Sequence, residues 1–144
     1  MTNMSDELAQ KCADHMFYND AATQSMGMSI VKVAEGQSIV SMCITSVMLN
    51  GHQTCHGGQL FSLADSAFAF ACNSYNEAAV AANCTIDFIR PAFEGDVLKA
   101  TATVCYQGKR TGIYHVQITN QNNELIALFK GNSARINRKL LPTD

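Results

Sequence analysis

The order of patterns along the chain predicts an α+β fold, with one antiparallel sheet curled around a single long buried helix. Three observations carry that expectation. A short helical pattern and two strand-like runs precede one long apolar stretch, 59–74, that holds no proline or glycine. Four further strand-like runs follow it, separated only by short breaks of turn chemistry. The 144 residues suit one domain, 1–144, with one core, and no internal repeat, linker or low-complexity segment divides them.

From 6 to 18, Leu8, Ala9, Cys12 and Met16 recur at helical spacing, with Ser5 as the expected cap. Runs 28–34 and 38–45, separated by Glu35, Gly36 and Gln37, read as a first hairpin. A polar loop from Asn50 to Gly58 then opens into the central helix, expected from about 58 to 74. Its last sixteen residues rise about 24 Å, enough to cross a small domain. The remaining runs, 78–89, 96–107, 111–120 and 124–134, read as strands, the last three as an antiparallel meander. The faces of this meander drift by one residue in places.

Charged residues make up 15% of the chain, well under the roughly 25% of ordinary domains, while 47% is hydrophobic. Part of that apolar surface is expected between subunits. A net charge of −2 gives no field that would gather nucleic acid or an anionic membrane. The six cysteines form no CxxC pair and most sit in apolar stretches, so they read as small reduced hydrophobes. The first ten residues are polar and acidic, and no purely apolar run of about 18 residues occurs. The expected compartment is the cytoplasm.

The sharpest chemical signal is a solitary charge. Of the 41 residues between Glu35 and Glu77, Asp65 alone is Asp, Glu, Lys or Arg. On a helix it shares a stripe with Phe61, Phe68 and Cys72, so it is expected to face apolar neighbours. Burying an unpaired carboxylate costs several kcal/mol or raises its pKa, so Asp65 has a function, a compensating hydrogen bond, or a place at a subunit interface. The second signal is His56, Gly57 and Gly58 at the mouth of the helix, where free backbone amides suit an oxyanion. The same glycines also suit a simple tight turn. Gly57 and Asp65 stand about 12 Å apart along the axis.

The stretch 48–65, MLNGHQTCHGGQLFSLAD, resembles the thioesterases of phenylacetic acid degradation, members of the hotdog-fold acyl-CoA thioesterases. The resemblance continues through TIDFIRP at 85–91, GD at 95–96 and QGK at 107–109, and covers nearly everything after Met28. It implies a hotdog fold whose dimer shares its active sites, with dimers paired again into a homotetramer. It implies that the Gly57 amide polarises the thioester carbonyl while Asp65 of the partner subunit attacks it or activates water. Asn50 would orient the water or the carboxylate, and His56 would hold the loop or contact the thioester. The implied substrates are phenylacetyl-CoA and its ring-hydroxylated forms. Coenzyme A enters only as part of substrate and product, so no separate cofactor and no metal are expected. The pair His52 and His56 lacks further ligands at metal spacing.

Eight of the ten basic residues lie from Arg90 onward. Arg90, Lys109 and Arg110, at strand ends and turns, are candidates for the phosphates of coenzyme A alongside Gly58, and equally suit a solvated surface. Phe61, Phe68, Phe70 and Phe88 suit either an aryl pocket or the core. Neither Ser62 nor Cys55 has the flanking residues of a serine or cysteine hydrolase, and the glycine before Lys109 makes no phosphate loop. Two rivals remain: a hotdog dehydratase built on His56 and Asp65, and a non-catalytic acyl-CoA binder.

Overall fold

The computed structural model describes residues 3–143. Helix α1 (Met4–Asn19) is followed by a short α2 (Ala21–Ser25), strands β1 (Ser29–Ala34) and β2 (Gln37–Cys43), and a 3₁₀ turn at Ser46–Met48. Then come α3 (Gly57–Cys72), β3 (Glu77–Phe88), β4 (Val97–Gln107), β5 (Thr111–Thr119) and β6 (Leu125–Lys139). The six strands form one sheet in the order β1-β2-β4-β5-β6-β3. Every pairing is antiparallel, and β4, β5 and β6 form the expected meander.

The sheet curls around α3. Leu60, Leu63, Ala64, Ala67, Phe68, Phe70, Ala71 and Cys72 are all buried on the helix. They meet alternate residues of the strands, among them Val40, Met42, Leu98, Ala100, Val116 and Ile118. Phe68 anchors the contact, with its ring edge-on to Tyr114 at 5.7 Å and tilted against Phe129 at 5.9 Å. Burying a side chain of that size contributes roughly 1.5–3 kcal/mol. Gly131 in β6 makes room, since a Cβ there would stand 2.7 Å from the Phe68 ring. One polar group in this layer, the Ser38 hydroxyl, donates to the Ala67 carbonyl at 2.6 Å.

Several expectations shift. Asn3 caps α1 by accepting from the Asp6 amide at 2.8 Å, and Ser5 instead donates to that Asn3 oxygen at 2.6 Å. Helix α2 was hidden because five residues are too few to show a period. Helix α3 starts at Gly57 and ends at Cys72, where the Asn73 side chain ties the Ala69 carbonyl, at 2.9 Å, to both backbone groups of Ala79, at 2.9 and 3.1 Å. Strand β6 runs five residues beyond 134, carrying Arg135 opposite Ala79 and Lys139 opposite Glu77. The drift of faces in the meander has a cause as well: a bulge lies between Val104 and Tyr106 in β4.

Candidate active site

The loop before α3 is built to present the helix mouth. The Asn50 side chain accepts from the His52 amide at 2.9 Å and the Thr54 amide at 3.2 Å, closing the turn on itself. The Cys55 amide donates to the Ala92 carbonyl and the His56 amide to the Met48 carbonyl, both at 2.8 Å. His56 is therefore pinned as it enters the helix. Its Nδ1 accepts from the Gly58 amide at 2.9 Å, which makes it the N-cap of α3.

That cap decides which amides remain open. The amides of Gln59 and Leu60 both donate to the His56 carbonyl, and Gly58 is taken by the imidazole. Among the described residues, no acceptor is bonded to the Gly57 amide. It points outward at the positive end of a sixteen-residue helix. The ring of Phe88, half exposed at the end of β3, lies over Gly57, and a Cβ there would sit 3.0 Å from the ring. The ring thus packs directly on the Gly57 backbone, whose amide keeps a free donor.

Asp65 lies two turns on, half-buried, and no hydrogen bond or ion pair reaches its side chain among the described residues. Its surroundings differ from the expected stripe. Phe68 and Cys72 turn under the sheet, while Asp65 opens with Ser62, Ser66 and Ala69 onto a cavity of about 170 Å³ whose far wall holds Met26, Met28, Thr23 and Asp20. Loss of water raises the Asp65 pKa above the usual carboxylate value, and the negative charge of Asp20 raises it further. Asp20 and Thr23 escaped the sequence reading because their helix did.

The remaining candidates separate. Asn50 is not among the residues lining the Asp65 cavity, and its oxygen is committed within the loop. Arg90 donates to the Leu125 carbonyl at 3.3 Å and stands 3.5 Å from Glu124, beyond the Phe88 end of β3. Lys109 and Arg110 lie at the other end of the sheet. There they line a hollow of about 690 Å³ with Glu77, Arg135, Ile136 and Asn137. From Ala127, opposite Phe88, to Arg135 is eight residues of β6, roughly 26 Å. Within one chain, then, Arg90 cannot serve the same phosphate as Lys109 and Arg110. Arg135, missed in the sequence, joins the latter pair and also sits over the Tyr75 ring at 5.5 Å.

The aryl-pocket reading of the phenylalanines loses two members, because Phe68 and Phe70 are each 1% exposed within the core. Cys55 is buried and its thiol is pushed up to about 11, which leaves no thiolate to act as a nucleophile near neutrality. Among the described residues, no three His, Cys, Asp or Glu side chains are grouped to hold a metal. No described helix is long and apolar enough to cross a membrane.

The sequence profile of the thioesterase superfamily matches residues 52–127, a span that holds Gly57, Asp65, Phe88 and Arg90. The chain belongs to the thioesterase superfamily. Its curved sheet wrapped on α3 is the hotdog fold of that superfamily. It is 57% identical over 124 residues to the acyl-coenzyme A thioesterase PaaI of Escherichia coli, covering 86% of this chain and 89% of that one. The solved structure of the E. coli PaaI protein, from the phenylacetic acid degradation operon, superposes with a TM-score of 0.92. That match has 54% identity and covers 93% of this chain and 97% of that one. The TT0310 protein of Thermus thermophilus matches at 36% identity and a TM-score of 0.79, over 81% and 98% of the two chains.

Proposed function

We propose that this thioesterase hydrolyses aryl-acyl-CoA thioesters, phenylacetyl-CoA and hydroxyphenylacetyl-CoA first among them, to the free acid and coenzyme A in phenylacetate degradation. The observation that carries the reading is the open Gly57 amide: the His56 cap takes up its neighbour and leaves one free donor at the helix mouth beside Phe88. A thioester carbonyl placed there gains a donor, and the helix end favours the negative charge that develops on its oxygen. Asp65 then attacks the carbonyl carbon or takes a proton from the attacking water, and the C–S bond breaks with departure of the coenzyme A thiolate; in the first case water then cleaves the Asp65–acyl anhydride to the free acid.

Gly57 and Asp65 of one chain stand about 12 Å apart on the same helix, too far to act on one carbonyl. A site completed by Asp65 of the partner subunit removes that difficulty. A dimer is supported by β3, which pairs with β6 on one side only and presents a second edge of twelve residues. Such an edge is normally covered. Pairing of dimers into a tetramer, a cytoplasmic setting and the absence of any cofactor or metal requirement complete the proposal. The Lys109, Arg110 and Arg135 hollow is the better candidate for coenzyme A phosphates, with Gly58 and Arg90 nearer the thioester end.

Thiol release from phenylacetyl-CoA, hydroxyphenylacetyl-CoA and a medium straight-chain acyl-CoA tests the substrate class. Faster release from the two aryl thioesters supports the proposal. Preference for the straight chain overturns the aryl assignment, and loss of water from a 3-hydroxyacyl thioester with no thiol release favours the dehydratase.

A further inference from the structure

The cavity beside Asp65 holds a second carboxylate that the hydrolytic reading leaves without a part. Asp20 lies between α1 and α2 and caps α2, accepting from the Thr23 amide at 3.0 Å and from the Thr23 hydroxyl at 2.6 Å. The Thr23 hydroxyl, on a residue 2% exposed, also lies 2.8 Å from the Ser66 hydroxyl. Because the single Thr23 proton points to Asp20, Ser66 is the donor in that second bond. A relay of carboxylate, hydroxyl and hydroxyl thus ties Asp20 to the residue next to Asp65 on α3. Capping alone would be met as well by Ser or Asn, neither of which brings charge. What Asp20 adds is a negative charge held in place across a shared cavity.

We propose that Asp20 is a positioning residue for hydrolysis, its charge pinned by Thr23 across the cavity it shares with Asp65 and tuning that carboxylate as base or nucleophile. This deepens, and rests on, the reading of Asp65 as the hydrolytic carboxylate. Two carboxylates that share a site ionise less readily together than apart. Other groups around Asp65 do not offset the effect. From α3 itself comes Cys72 and from β3 Cys84. Strands β2, β5 and β6 present Ser38, Tyr114 and Phe129 to the helix. Arg135 acts at the Cys72 end, over Tyr75, and is absent from the cavity lining.

The test is the pH profile of kcat for thiol release from phenylacetyl-CoA by wild type, Asp20→Asn and Asp20→Glu. Asparagine keeps the cap and removes the charge. Its acid limb is expected at lower pH, with the rate at the acid end, relative to the plateau, raised at least about twofold and the plateau itself lowered. Glutamate should bring the limb back toward wild type. A second readout needs no turnover: a carboxyl carbon NMR titration of Asp65 in wild type and Asp20→Asn, whose midpoint should fall in the variant. A midpoint and an acid limb that stay put, while Asp65→Asn is inactive, overturn this proposal alone. A midpoint that moves in a protein releasing no thiol overturns the hydrolytic reading, and the positioning role with it.

Discussion

A carboxylate that is half-buried without a hydrogen bond is a cost to the fold. For Asp65 the sign follows from linkage: its folded pKa lies above the unfolded value, so the folded state prefers it protonated. Its favourable contribution is present below the ordinary value near 3.8 and disappears as pH rises through the folded pKa. Asp65→Asn should therefore raise Tm at neutral pH, and the gain should vanish as the pH is taken below that value. A variant less stable than wild type at neutral pH would mean that the ionised carboxylate has a partner in the folded protein. Activity should fall over the same interval on acidification, because either role proposed for Asp65 needs the ionised form. Asp65 was legible in the sequence because it is the only charge in a long apolar stretch. Asp20 was not, because nothing in the sequence brings residue 20 to the side of residue 65; only the packing of α2 on α3 does.

At the scale of elements, α3 is fixed by polar groups at its two ends and by one close approach in its middle. His56 caps the first turn, and His56→Ala should cost about 1 kcal/mol in denaturant unfolding. It should also free the Gly58 amide as a competing donor, so the loss in kcat should exceed what lost stability explains. In the middle, Gly131→Ala would drive a Cβ into the Phe68 ring, both within the sheet–helix layer. The expected cost is roughly 1–3 kcal/mol, and an unchanged unfolding midpoint would contradict the packing described. The helix itself was readable from its apolar, proline-free run. Its start at Gly57 lies one residue before the expected 58, because the His56 cap and the loop bonds draw in a glycine against its propensity. The end of β6 was hidden in the same way: Arg135, Arg138 and Lys139 hide an extended segment that pairing with β3 holds in place.

For the whole molecule, the question is what lies on the far side of β3. Order of elements and a sheet curled on one helix could be read from the sequence, because period-two runs and short turns constrain a meander strongly, while the hotdog assignment rested on the resemblance. The free edge of β3 could not, since sheet order is a long-range outcome. With that edge covered by a second copy, sedimentation at micromolar concentration should give a dimer or a multiple of it. A persistent monomer that still turns over would contradict a site shared between subunits. Whether Asp65 performs the hydrolysis is decided by the rate of thiol release from phenylacetyl-CoA for wild type and Asp65→Asn, beside equilibrium binding of the intact thioester. The expected result is a loss of at least about 10²-fold in rate with binding near normal. Full activity in the variant would contradict it.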